Sequence, residues 1–425
     1  MAQFIWTQKQ DIGPAPRWRH GLAFDAARKQ AVLFGGLTPD ASLAADTWAW
    51  DGRFWTQVAD TGPAPRADHA MAFDAERERV VLFGGLGHGE RVSLRDTWEW
   101  DGELWSQVAD TGPSARTGHA MAYDPQLRRI VLFGGANLPD MARDTWTWDG
   151  AAWVQVADTG PSARHRHAMA YASAPQKVVL VGGQDAAGAA LSDTWAFDGQ
   201  AAWTQLDDIG PGPIAGAAMA DTGGGLVLFG GAAGEDALGA FGAAAGATWL
   251  FAGQRWTQVQ DIGPAGRWRH AGAIDDARGA VVLFGGLPVR QPADQAAVPA
   301  AAALGDTWEL PVAPAAPAVP LAIAQLAIAP SSLPPVPGAT IQAVVTLNGP
   351  AGAAGVQVSA QILRQSSMIP VDPARISVTN GLVPAHSLGC VITITRGPNV
   401  VFGGPVCILR LQIPGAPFVD TQFAG

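Results

Sequence analysis

Cysteine is scarce: Cys390 and Cys407 are the only two among 425 residues, and both come late. That excludes a disulfide scaffold or a cysteine metal site, and leaves open one bridge or two buried thiols. Tyrosine is equally rare, with Tyr123 and Tyr171 alone. No apolar run approaches the roughly 18–20 residues that span a bilayer. The start, Met1 to Gln10, has neither a basic leader nor a hydrophobic stretch. A cytoplasmic location is therefore expected, with an extracellular one as the alternative if a leader was removed or export is non-classical. Positive charge is short as well, at a formal net charge of −10. Residues 313–425 hold four Arg against Asp372 and Asp420, which leaves about −12 on residues 1–312. An acidic body argues against nucleic-acid or membrane partners. The chain also lacks a Ser-His-Asp order, a P-loop and a dinucleotide fingerprint, so no cofactor is expected.

What the chain has is tryptophan and repetition. There are 17 Trp, and 48% of the residues are hydrophobic. One sentence recurs, seen most cleanly from Asp96 to His119. Trp98 and Trp100 alternate with polar neighbours, Asp101-Gly102 makes a tight turn, and Trp105 opens a second alternating run. Period-two alternation across Asp-Gly is a hairpin signal, and one such hairpin cannot bury its aromatic face without neighbours. A double glycine marks each copy: Gly35-Gly36, Gly84-Gly85, Gly134-Gly135, Gly182-Gly183, Gly230-Gly231 and Gly285-Gly286. Six copies spaced 48 to 55 residues apart, with four short strands each, indicate a β-propeller. In the second copy the strands are expected at His69–Asp74, Arg79–Gly85, Asp96–Asp101 and Leu104–Ala109, here called a to d.

The two ends of the array fit each other. The sixth copy stops at Pro311 without a strand d, while Phe4-Ile-Trp6-Thr-Gln8 at the start is a strand d with nothing before it. Residues 3–9 should complete the sixth blade and so remove an open sheet edge.

The Gly-Gly after strand b, the later Trp and the Arg-x-x-His opening strand a resemble Kelch repeats of a bacterial style, over residues 3–310. The resemblance implies a six-bladed Kelch propeller whose d–a and b–c loops share one face around a central channel. Beyond a Pro/Ala linker at 311–320, residues 321–425 read as short strands between Gly/Pro turns. Ala329-Pro330-Ser-Ser-Leu, Gly338-Ala-Thr, Val345-Thr-Leu and Pro373-Ala-Arg-Ile-Ser-Val-Thr resemble bacterial Ig-like repeat domains. The expected fold is thus all-β, a propeller over 1–310 followed by an Ig-like β-sandwich.

Internal repeats separate frame from function. Arg17, Arg66, Arg116, Arg164 and Arg267 each stand three residues before His20, His69, His119, His167 and His270. A ring of equivalents reads as loop anchoring, since a site usually draws on unlike residues; the arginines also border the candidate surface. Asp46, Asp96, Asp144, Asp193 and Asp306 read as turn or strand-opening residues. The pairs between Arg and His differ in every copy: Trp18-Arg19, Ala67-Asp68, Thr117-Gly118, His165-Arg166 and Trp268-Arg269. Trp18 and Trp268 could stack on a planar or anionic group clamped by Arg19 and Arg269, or merely cover the closure seam. The fifth copy departs most, with Ile214 for Arg, Ala217 for His and Ala247 for Asp. Its b–c loop, and the sixth, are long and rich in Gly, Ala and Pro.

A galactose-oxidase-like copper radical site would need Tyr cross-linked to Cys, and residues 1–310 hold no Cys. A sugar enzyme resembling Kelch-type sialate mutarotases stays open, although nothing pairs Glu90, Glu235, Asp236 and Asp68. The expected function is non-catalytic binding or scaffolding for a protein or glycan partner. The contact surface is centred on Trp18, Arg19, Asp68, His165, Arg166, Trp268 and Arg269. The alternatives are that enzyme, or a structural component of a larger bacterial assembly attached through the Ig-like domain.

Overall fold

A computed structural model describes residues 5–312 apart from 11, 89–91, 138–139, 208–209, 234–245, 261–262 and 289–301. Beyond Val312 it describes the backbone of eight strands only. The chain divides into two compact units, Met1–Ala315 and Ala316–Gly425.

The first unit is a six-bladed, all-β propeller. Each blade is an antiparallel sheet in the order a-b-c-d; the second runs Ala70–Asp74, Arg79–Leu86, Ser93–Trp100 and Trp105–Ala109. The a strands stand innermost and touch in sequence around the axis, the sixth returning to the first. Strand b is the most apolar because both faces are covered. In the second blade Val80, Val81, Leu82 and Phe83 are fully buried. Between neighbouring blades lie six apolar clusters, one per interface. Phe34, Met71, Trp100 and Trp105 meet between the first and second blades, for example.

The tryptophan opening each strand d explains why the sequence keeps it. Trp105 donates its indole N–H to Thr47 Oγ1 of the preceding blade at 2.9 Å. The same inter-blade bond joins Trp153 to Thr97, Trp203 to Thr145, Trp256 to Thr194 and Trp55 to Thr307. A large apolar ring fills the interface, and its one polar atom finds a buried partner. A Cβ added at Gly62, Gly112 or Gly160, all at positive φ, would stand within 2.9 Å of the Cβ of Trp105, Trp153 or Trp203 and collide.

Thr7–Gln10 pairs antiparallel with Thr307–Pro311, Gln8 facing Trp308. The sheet order of the sixth blade is Thr7–Gln10, Thr307–Pro311, Ala280–Phe284, Ala271–Asp275. Trp6 is 5% exposed, tilts over Phe229 at 5.0 Å and donates to Thr248 Oγ1 at 2.8 Å. It therefore repeats in the sixth blade what Trp105 does in the second. The expected strand began at residue 3; residues 1–4 lie outside the described residues.

In the second unit Ile323–Ala329, Thr340–Leu347, Gly389–Arg396 and Ile376–Val378 form one four-stranded sheet. Gly381–Val383, Val356–Arg364, Val406–Gln412 and Val419–Ala424 form another. Cys390 lies on a strand of the first and Cys407 on a strand of the second. The linker residues 313–320 are outside the described residues. Among the described residues no helix is long and apolar enough to cross a membrane.

Candidate functional site

Five of the six d–a loops carry the four-residue unit Arg-x-x-His, the fifth blade having Ile214-Ala-Gly-Ala217 instead, and each position has one task. The arginines are 0–1% exposed, so their charge must be met inside the fold. Each forks onto the aspartate just before the Thr-Trp pair of its own strand c. The pairs are Arg17–Asp46, Arg66–Asp96, Arg116–Asp144, Arg164–Asp193 and Arg267–Asp306, with N–O distances of 2.6 to 3.0 Å. Each also donates to the carbonyl of the first glycine of its Gly-Gly, as Arg116 does to Gly134. The strand-c tryptophan adds an indole donor to the same carboxylate, Trp146 to Asp144 at 2.7 Å. Burial opposes ionisation of Asp144, but Arg116 and Trp146 outweigh it and hold the carboxyl below its ordinary range. These five arginines belong to the frame and offer nothing to a ligand, a correction to their inclusion in the contact surface. Arg116→Ala should cost about 3 kcal/mol, since it strands a half-buried carboxylate. Denaturant unfolding would read that loss.

The histidines are frame as well. His69 lies edge-on to Phe34 of the preceding blade at 5.6 Å, and His119, His167, His270 and His20 repeat the contact on Phe83, Phe133, Phe229 and Phe284. No described partner reaches their ring nitrogens in good hydrogen-bonding geometry. Burial, and then Arg66, lower His69 to about 3; the carbonyl of Phe34 and the nearby carboxylates offset this only in part.

The two variable residues divide the remaining work. The first bridges to the residue after its own Gly-Gly: Trp18 to Leu37, Ala67 to Leu86, Thr117 to Ala136, His165 to Gln184, Ala215 to Ala232 and Trp268 to Leu287. The second takes a left-handed backbone, φ between 53° and 68°, at Arg19, Asp68, Gly118, Arg166, Gly216 and Arg269. In that conformation its N–H reaches the carbonyl of its equivalent in the neighbouring blade. Asp68 donates to Arg19, Gly118 to Asp68, Arg166 to Gly118, Gly216 to Arg166, Arg269 to Gly216 and Arg19 to Arg269, at 2.6 to 2.9 Å. Six bonds running in one sense make a closed ring around the axis. Non-glycine residues hold this φ only under constraint, and here the ring supplies it. Peptide hydrogen bonds thus narrow the channel, and the four side chains of the ring gather at its mouth.

There Arg19 forks onto Asp68, Nε to Oδ1 at 2.9 Å and Nη2 to Oδ2 at 2.6 Å. Burial works against the Asp68 charge, but Arg19, Arg269, Arg166 and His165 outweigh it and hold the carboxyl at about 2. Arg166 donates to Gln184 Oε1 at 2.8 Å, and Arg269 stacks on Trp268 with its Cζ 3.9 Å from the ring centroid. Burial and the neighbouring Arg166 lower His165 to about 4, so it is neutral at pH 7. Above Arg19, Asp68, His165 and Arg166 opens a pocket of about 790 Å³, walled further by His88 and Asn137.

Five of the seven sequence-nominated central residues come together here. Trp18 and Trp268 do not offer faces to a ligand: at 6% and 7% exposure they are buried with Ala232 and Leu287. Of the two readings, this favours the seam. Glu90, Glu235 and Asp236 lie outside the described residues. Among the described residues, no group of three His, Cys, Asp or Glu is placed to hold a metal ion. The peptide ring escaped the sequence reading, although the variable pair at constant spacing marked its place. The Arg–Asp pairing had a usable signal, because the fifth blade loses both partners at once, to Ile214 and Ala247. Trp249 of that blade is left with its indole nitrogen unpartnered.

No protein-family model matches the chain, and no curated protein matches it. Among solved structures, YjhT is similar at a TM-score of 0.54 and 15% identity, over 71% of this chain and 95% of its own. AofleA from Arthrobotrys oligospora aligns at a TM-score of 0.38 and 10% identity, over 67% of this chain and 84% of its own. The likeness to YjhT shows the fold alone.

Proposed function

We propose that this protein is a non-catalytic binding protein that grips an anionic group of a protein or glycan partner at the channel mouth. The observation that carries the reading is the grouping of Arg19, Arg166 and Arg269 near the carboxylate of Asp68, with Arg19, Asp68 and Arg166 lining an open pocket. Guanidinium clusters in a partly desolvated recess recognise carboxylate and phosphate by paired donors. Binding is favoured over catalysis because general acid–base chemistry wants a group that titrates near the working pH. Asp68 is clamped at about 2 and His165 at about 4. The mutarotase-like alternative would need a different acid–base pair at the same mouth.

The repeats themselves we assign to the Kelch type, with a bacterial origin. Pro311 and Val312 belong to the sixth blade, so of the segment expected as a linker at 311–320 the remainder, 313–320, keeps that role in this reading; 321–425 is an Ig-like domain, with a cytoplasmic location, and attachment through that domain is the structural alternative. Calorimetric titration with glucuronate and glucose tests the mouth. Glucuronate should bind and glucose should not, and Arg166→Ala with Arg269→Ala should weaken glucuronate at least tenfold, about 1.4 kcal/mol. Equal affinity for the two sugars, or an unchanged double variant, would refute the anion reading. Turnover of either sugar would favour the enzyme.

A further inference from the structure

The opposite end of the channel is chemically unlike the mouth. Strand a runs from the d–a loop towards the a–b turn, and where it ends a second cavity of about 550 Å³ opens. Its inner wall is methionine, with Met71, Met121, Met169 and Met219 from four consecutive blades. Unbranched thioethers adapt to irregular apolar shapes, and pockets of this size with few polar groups suit small ligands. No lysine or arginine is among the described residues lining it.

The repeat shows where this wall has been altered. The sixth blade puts Gly272 where four blades have Met and the first has Leu22. Just beyond, the fifth blade puts Asp221 where Phe24, Phe73, Tyr123 and Tyr171 stand. One step further the sixth blade has Asp276, against Ala26, Ala75, Pro125 and Ser173. All three departures line the cavity, and they fall on adjacent blades. One removes bulk, and two add carboxylates to the same side. Asp221 is fixed by the N–H groups of Ser173 at 2.9 Å and Gly223 at 3.2 Å. Burial, and the charges of Asp221 and Asp275, hold the carboxyl of Asp276 above its ordinary range. A cation seated between the two would relieve that repulsion.

We propose that this cavity binds a lipophilic amine, with its alkyl chain among the methionines and its ammonium between Asp221 and Asp276. The apolar wall supplies affinity through burial, and the two carboxylates select the sign of the headgroup. This site is independent of the anion-binding mouth, so either can fail alone.

The full chain is titrated calorimetrically with decylammonium, decyl sulfate and decanol, each below its micelle concentration. The amine should bind at one per chain, at least tenfold tighter than the sulfate. Asp276→Asn, at a turn position, should erase most of that preference and leave decanol unchanged. Gly272→Met should abolish binding of amine and decanol alike. Because its Cβ would already stand 3.0 Å from Ala218, Met121→Phe serves as a second filling variant if circular dichroism shows the first misfolded. Sulfate binding as tightly as the amine, an undiminished preference in Asp276→Asn, or amine binding that survives filling of the cavity would each overturn the proposal.

Discussion

Between pH 7 and pH 5 the propeller is expected to lose about 6 kcal/mol of stability through His69, His119 and His270, with His20 and His167 acting in the same direction. His69, His119 and His270 are held at about 3, and His20 and His167 well below the ordinary imidazole value. In each case burial is the first cause and the arginine three residues earlier the next. An unfolded imidazole takes up its proton near pH 6.5, whereas these cannot without breaking the blade interface. Their contribution is therefore whole above about 6.5 and is lost progressively as pH falls towards the folded values. At pH 5 the deficit is about 2 kcal/mol for each of His69, His119 and His270, which together with the same trend at His20 and His167 makes the loss comparable with the whole stability of an ordinary domain. The Arg-paired aspartates do not blur the window, because their lowered values place their loss below about pH 4. Urea unfolding at pH 7, 6 and 5 should show the midpoint collapsing. His270→Ala should reduce the pH slope by about a fifth even if it lowers stability at pH 7. A stability flat across this range would mean that the rings are protonated or hydrated in the folded state.

Removal of residues 1–10 is the second large effect. The truncation takes away Trp6, which fills the interface between the fifth and sixth blades with Phe229, Val281 and Leu283. It also removes the pairing with Thr307–Pro311 and the ion pair of Lys9 with Glu309 at 3.1 Å. Burying a Trp alone is worth about 3–5 kcal/mol, and the exposed strand c becomes an edge free to pair with another molecule. The truncated chain should unfold at lower denaturant and associate on size-exclusion chromatography. Trp6→Ala in the full chain should cost about as much as Trp153→Ala, because the two rings occupy equivalent interfaces. A truncated monomer of undiminished stability would contradict the closure.

The frame was legible in the sequence because each blade faces the same packing problem. Six solutions side by side expose the Gly-Gly, the two tryptophans and Arg-x-x-His, and the observed strands of the second blade depart by one to three residues from those expected. The matched deficits at the two ends were readable for the same reason. Side-chain direction was not. Trp18 and Trp268 look like ligand platforms in the sequence, yet their backbone bridges to Leu37 and Leu287 turn them into the core. Arg19, Arg166 and Arg269 face the mouth because each is itself left-handed to join the peptide ring, and nothing in the sequence states that a ring exists. Asp46 and its equivalents passed for turn residues because their arginines lie 28 to 39 residues away.

Hydrogen exchange of the N-terminal segment tests the central claim, that the protein's own first strand closes the ring. Mass spectrometry would follow amides of Thr7–Gln10 beside those of Trp55–Ala59, an ordinary outer strand of the same propeller. Equal protection is predicted, since both strands pair on one side only. Complete exchange of residues 7–10 within seconds, with 55–59 still protected, would show that the circle is fastened some other way.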